Sequence, residues 1–398
     1  MLYSFATMNP FSIYLHIPFC VHRCAYCDFN TYAGMESLIP NYVTALQREI
    51  ELAAESAGSK LPVHTIFFGG GTPSLLDAEQ VGNILRTISS CYELYPDTEI
   101  TLEANPGTLS FQQLCELCES GVNRISMGMQ SSHSDELKLL ERMHGLDDVV
   151  QSAAWARSAG FDNLSLDLIF GIPYQTIEMW AMTLDAALAI GPDHFSMYAL
   201  TLEHGTPMQK RVELRFLPEP DPDLAADMYE LASERMESNG YGQYEISNWG
   251  KRQSNGEIKW SRHNLQYWRS LPYLGFGAGA HGCAGGFRTA NVLSPERYIS
   301  RLEDGKPLPF PRTQATAELL QVTREDEIGE MMITGLRLVG EGVSSGAFRE
   351  RFGIDLNDRF QPEIERLINW ELLEWSGDRL RLTRRGRLLG NRVFMEFL

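Results

Sequence analysis

At 398 residues, with 43% hydrophobic and 22% charged residues, the chain suits two or three globular domains rather than one. Its 34 Lys and Arg stand against 52 Asp and Glu, a net charge of −18 that argues against a wide phosphate-binding surface. No apolar run is long enough to span a membrane, Met1–Pro10 carries no basic-then-apolar leader, and an odd count of seven Cys fits a reducing compartment, so the cytoplasm is the expected location.

The first predicted element is a strand over Ser12–Ile17, which runs directly into Cys20-Val21-His22-Arg23-Cys24-Ala25-Tyr26-Cys27-Asp28-Phe29. The spacing C-x3-C-x2-C lets three thiolates on one tight loop converge on a metal or an iron-sulfur cluster. A structural zinc wants four ligands, and the local candidate for a fourth, His22, would have to fold back between its own neighbours. Three cysteines therefore point to a [4Fe-4S] cluster with one iron left open for a small molecule.

Downstream, β-branched runs alternate with amphipathic ones. The pattern predicts a helix over Pro40–Ala54, a strand His64–Phe68, a helix Asp77–Ser89, a strand Glu99–Ala104 and a helix Ser110–Ser120. There follow a strand Arg124–Met129, helical residues Asp135–Ala159 broken at Gly145, a strand Leu164–Phe170, a helix Thr176–Ile190 and a strand His194–Leu200. Six β-α units imply a parallel sheet, either an incomplete (β/α) barrel with its active face at the strand C-termini or a doubly wound open sheet. Every strand end carries Gly-rich or polar residues: Gly69-Gly70-Gly71-Thr72-Pro73-Ser74, Glu103-Ala104-Asn105-Pro106-Gly107, Met129-Gln130-Ser131 with Arg142 beyond, Asp167 before Gly171-Ile172-Pro173, and Met197-Tyr198-Ala199-Leu200-Thr201.

A helix over Asp221–Asn239 precedes a strand Tyr244–Trp249, a polar loop, and the motif His263-Asn264-x-x-Tyr267-Trp268. Histidine is a common axial ligand of heme iron, and aromatics pack on a flat macrocycle, so this motif is a candidate heme contact, with His281 beside Cys283 as a second. Cys115 and Cys118 read as packing residues on one helix. After Phe310, helices Glu325–Leu338, Ser344–Phe352 and Gln361–Trp370, a hairpin Leu372–Thr383 and a last helix Arg384–Phe397 describe a winged helix. Its short run Arg384, Arg385, Arg387 and Arg392 is weak support for nucleic-acid binding beside the acidic total, and a packing or docking role is expected.

The cysteine loop with Tyr26 before its third Cys resembles the radical S-adenosylmethionine (SAM) enzymes. That resemblance implies an α/β fold built as a partial (β/α)6 barrel, a [4Fe-4S] cluster on Cys20, Cys24 and Cys27, and SAM chelated at the open iron. It places SAM against Tyr14, Tyr26, Gly70, Gly71, Thr72, Glu103, Gln130, Arg142, Asp167 and Ala199; no catalytic residue is assigned. Gly121–Ser131, Tyr244–Asn248 and His263–Trp268 are further similar to the oxygen-independent coproporphyrinogen III oxidase group. Within that group, Phe29 stands where the oxidases carry a fourth cysteine, and the His263, Asn264, Tyr267, Trp268 motif is that of its heme-chaperone branch. The resemblance thus implies heme as cargo, an electron donor for the cluster and heme-acceptor proteins such as respiratory enzymes as partners, with radical decarboxylation of coproporphyrinogen III as the alternative. The expected domains are a barrel over 1–205, a sheet-completing extension over 206–310 that covers the barrel mouth, and a winged-helix-like domain over 311–398.

Overall fold

The computed structural model describes residues 9–398, so the leader reading of Met1–Pro10 lies, but for its last two residues, outside the described residues. The chain divides into two compact units, Met1–Ala232 with Pro272–Gln321, and Ser233–Leu271 with Val322–Leu398. The stretch expected as one middle segment, 206–310, is shared between them.

In the first unit the parallel strands are β1 (Phe11–Ile17), β2 (Pro62–Gly70), β3 (Glu93–Ala104), β4 (Arg124–Gln130), β5 (Leu164–Phe170) and β6 (His194–Ala199). The crossovers are α1 (Ile39–Ala57), α2 (Ala78–Cys91), α3 (Phe111–Glu119), α4 (Ser134–Leu139) with α5 (Leu146–Ser158), and α6 (Ile177–Ile190). Strands β1 to β6 lie side by side in the order of the chain, each pair parallel. A doubly wound sheet reverses its order at a switch point, whereas a (β/α) barrel adds each strand beside the last. The consecutive order is the barrel's.

The strands are covered on both faces, as the near-continuous burial of Phe-Ser-Ile-Tyr-Leu-His-Ile in β1 shows. Local chemistry sets the helix ends. Asp77 caps α2, its carboxylate accepting from the Gln80 amide at 2.7 Å while the Gln80 side chain accepts from the Asp77 amide. Gly58 and Gly191 end α1 and α6 in the left-handed conformation.

Beyond β1 the sheet continues with β7 (Tyr273–Phe276), parallel to β1, and then the antiparallel strands β8 (His281–Ala284), β9 (Phe287–Asn291) and β10 (Thr316–Gln321). Glu49 of α1 ties this extension down. Only 1% exposed, its carboxylate accepts from the Gly277 amide (2.8 Å), Asn291 Nδ2 (2.8 Å), the Tyr298 hydroxyl (2.6 Å) and the Thr313 hydroxyl (2.7 Å).

The second unit holds helices Arg324–Arg337, Ser345–Phe352 and Leu356–Asn369 with a three-stranded sheet of Val343–Ser344, Arg379–Leu382 and Leu373–Ser376, a winged-helix arrangement. The third helix starts before the expected Gln361 and kinks at Phe360, just ahead of Pro362. The expected strand Tyr244–Trp249 is instead a hairpin of Tyr241–Glu245 and Asn248–Lys251. Its turn is held by the buried Glu245 carboxylate, which accepts from the Ser247 amide at 2.8 Å and from the Asn248 side chain. The arginine run is engaged within this unit: Arg384 with Glu234 (2.9 Å), Arg385 with Glu371 (3.5 Å), Arg387 with Gln243 (2.9 Å), and Arg392 over the Trp370 ring.

Candidate functional site at the strand C-termini

The cysteine loop leaves the C-terminal end of β1 and packs beside the end of β2, where the Thr72 amide donates to the Phe19 carbonyl and the Gly71 amide to the Ile17 carbonyl, both at 2.8 Å. Such close approach needs glycine. A Cβ on Gly71 would sit 2.6 Å from the Phe19 oxygen, and one on Gly70, whose φ is +107°, would sit 2.5 Å from the His16 ring.

Each of the three sulfurs has a hydrogen-bonding neighbour: Thr72 Oγ1 at 3.5 Å from Cys20, Arg142 Nη1 at 3.5 Å from Cys24, and Thr31 Oγ1 at 3.9 Å from Cys27. Donors around sulfur suit thiolates that ligate a cluster. Burial pushes the Cys20 and Cys27 thiols up, and the Thr72 and Thr31 hydroxyls oppose it. His22 does not join them, since its Nε2 lies 3.4 Å from Glu141 Oε2. Among the described residues no three His, Cys, Asp or Glu side chains converge on a single ion. Three cysteines on one loop, each with a hydrogen-bonding neighbour at its sulfur, would leave one iron of a cubane without a protein ligand, so the donor set fits the cluster.

The residues expected around SAM come from all six strands. Tyr14 on β1 stacks on Phe67, and its hydroxyl bonds His16 Nδ1 at 3.0 Å. Glu103 at the end of β3 accepts from the Gly70 amide at 3.2 Å. Burial, then the nearby Asp167, raise Glu103 to about 8. Asp167 on β5 accepts from Ser126 at 3.2 Å and is also held up by burial, against the Ser196 hydroxyl and Arg124. Gln130, at φ +63°, and Arg142 converge over Gly128, where a Cβ would lie 2.6 Å from Gln130 Nε2 and 2.9 Å from Arg142 Nη2. Burial raises Tyr26, which lies in the field of Arg142 and Cys24. Ala199 is exposed at the end of β6, beside Phe170 of β5 in the sheet.

A cavity of about 270 Å³ opens here, lined by Cys24, Thr72, Asn105, Arg142, His144 and Asp148 among others. Asn105 and His144 were not singled out from the sequence. Asn105 sits in the loop after β3, whose position at a strand C-terminus was its one signal; nothing local marks His144. Burial, then Arg142, lower His144 to about 4, and its Nε2 bonds the Met129 carbonyl at 3.3 Å.

In the second unit, His263, Asn264, Tyr267 and Trp268 share the helix Arg262–Trp268. His263 is 1% exposed, with Nε2 at 2.9 Å from the Tyr267 hydroxyl, and the Arg337 guanidinium lies 4.3 Å from the Trp268 ring centroid.

Residues 14–187 match the Radical SAM superfamily and 322–389 the HemN C-terminal domain. The heme chaperone HemW of Bacillus subtilis is 39% identical over 97% of this chain and 99% of its own length, and that of Mycobacterium tuberculosis strain H37Rv is 38% identical over 98% and 95%. The chain belongs to the HemW family of radical SAM proteins. Membership brings a [4Fe-4S] cluster and SAM as cofactors. Coproporphyrinogen III oxidase (HemN) from Escherichia coli superposes with a TM-score of 0.83 at 23% identity, covering 98% of this chain and 90% of that one, and so shares the fold. Among the described residues no helix is long and apolar enough to cross a membrane.

Glu103 gives a testable pH dependence. Its folded pKa of about 8 lies above the ordinary 4.5, so the protonated form stabilises the fold. That contribution is present in full below about pH 4.5 and is lost as pH rises through about 8. Urea midpoints of the cluster-free chain should fall across this window, and Glu103→Gln should flatten the fall. An equally steep decline in the variant would remove Glu103 as its source.

Proposed function

We propose that this chain is a heme chaperone that binds heme and passes it to acceptor proteins such as respiratory enzymes. The observation that carries this reading is similarity over nearly the whole chain to proteins named heme chaperones. Phe29 supports it: the residue in the place of the oxidases' fourth motif cysteine is 62% exposed and offers no ligand. We place the chain in the cytoplasm, reaching a membrane only through an acceptor, and expect a separate electron donor for the cluster.

In this reading Cys20, Cys24 and Cys27 hold the cluster, and SAM lies against Tyr14, Tyr26, Gly70, Gly71, Thr72, Glu103, Gln130, Arg142, Asp167 and Ala199. A cluster held there and reduced would supply the electron for cleavage of the SAM sulfonium. Arg142 offers its positive charge and an unpartnered Nε–H to a carboxylate, Glu103 and Asp167 accept from hydroxyls, and the open backbone at Gly70 and Gly71 admits the ligand closely. We assign heme contact to the helix bearing His263, Asn264, Tyr267 and Trp268. Ligation of iron by His263 Nε2 would require its bond to Tyr267 to open.

Heme titration of the purified chain should give a saturable Soret shift, weakened about tenfold in His263→Ala, about 1.4 kcal/mol. The same preparation, with SAM and reductant, should leave coproporphyrinogen III unconverted. Absence of heme binding would overturn the proposal, and formation of protoporphyrinogen would establish the oxidase instead.

A further inference from the structure

We infer that Thr72 and Asn105 relay the charge of Arg142 to Cys20 and so help to set the reduction potential of the cluster. Two of the cluster cysteines lie at the ends of one hydrogen-bonded chain. Arg142 Nη1 donates directly to Cys24 Sγ at 3.5 Å. Its Nη2 donates to Asn105 Oδ1 at 2.7 Å, Asn105 Nδ2 donates to Thr72 Oγ1 at 3.0 Å, and Thr72 Oγ1 donates to Cys20 Sγ at 3.5 Å.

The direction of every bond follows from the first. A guanidinium has donors and no acceptor, so Asn105 must turn its oxygen to Arg142 and its NH2 to Thr72. Thr72, having accepted from that NH2, spends its single hydrogen on the sulfur. All the dipoles therefore point their positive ends at sulfur, and one guanidinium serves two cysteines, one directly and one through two neutral groups. Chains of this kind polarise one another, more so away from water, and Thr72 is only 3% exposed. Nη2 is fixed by a second bond, to the Gly128 carbonyl at 3.1 Å, and it is the missing side chain at Gly128 that lets it lie there.

Reduction adds one electron from an external one-electron donor, with no proton moved, and part of that charge falls on the thiolate sulfurs. Donors aimed at sulfur stabilise the reduced form more than the oxidised one, which is how hydrogen bonds shift cluster potentials. Thr72 and Asn105 are positioning residues in this account. A purely structural network would alter stability and leave the potential alone.

The test is an EPR-monitored redox titration of the full chain with its cluster reconstituted, without SAM and without heme, so that its outcome is independent of heme transfer. Thr72→Val keeps the volume and removes the donor; Asn105→Ala cuts the relay in the middle. Each should make reduction about tenfold less favourable, about 59 mV for a one-electron couple. Thr72→Ser should restore the parent value, and the double variant should shift less than the two single shifts summed, because both break one chain. Single variants that carry full iron yet titrate within about twofold of the parent would overturn the inference, as would strict additivity in the double variant.

Discussion

Cys24→Ala is expected to yield a folded chain that cannot hold its cluster. With one iron of the cubane left for SAM, each cysteine is the sole protein ligand of its iron, and two remaining thiolates leave a second iron open to water and to loss. Iron and sulfide analysis after anaerobic reconstitution should fall from about four irons per chain to a small fraction of that. Circular dichroism should change little, because Cys24 is only partly buried and its backbone bond to Cys27 does not involve the side chain. Retention of a full, EPR-active cluster in Cys24→Ala would show that another group ligates that iron and would remove the triad from its assigned role.

Glu49→Ala should be the most damaging single change to the first unit. The variant leaves the Gly277 amide, the Asn291 side chain and the Tyr298 and Thr313 hydroxyls without the acceptor they share. An unmet buried donor costs roughly 1–3 kcal/mol, so even with partial rearrangement the loss should be on the order of 4 kcal/mol. A urea unfolding curve would read it as a lower midpoint. Burial pushes the Glu49 carboxyl up despite its four donors, so Glu49→Gln, which keeps an acceptor oxygen, should cost less than Glu49→Ala. Equal losses in the two variants would show that shape, and not the hydrogen bonds, is what the site requires.

The order of strands and crossovers was legible because parallel strands buried on both faces leave uniform apolar runs, and because amphipathic helices such as α2 announce themselves with caps like Asp77 and Gln80. The cysteine loop was legible because its spacing is local. What escaped was set by residues far apart in sequence. Tyr244–Trp249 alternates through its turn with no Gly or Pro to interrupt it; the turn exists because the buried Glu245 gathers the Ser247 amide and the Asn248 side chain and meets Arg337, 92 residues away, at 3.2 Å. Glu49 reads as one more polar helix residue, yet its partners lie 228 to 264 positions later. At the candidate site the strand-end residues could be named one by one. That Arg142 touches both Cys24 and Asn105 depends on the missing side chain at Gly128, which leaves room for its guanidinium and which no local pattern encodes.

The strand that carries the cysteine loop is an interior strand of its sheet: β2 flanks it on one side and β7, some 260 residues later, on the other. The loop itself is tied to the same late segment, Asn30 Nδ2 donating to the Ala278 and Leu293 carbonyls at 3.0 and 2.9 Å. A chain growing from its N-terminus on the ribosome therefore makes all three cysteines well before the last of the residues that support their loop, since non-local pairing must wait for its partner. The support of the cysteine loop is thus completed only once the chain has reached residue 293.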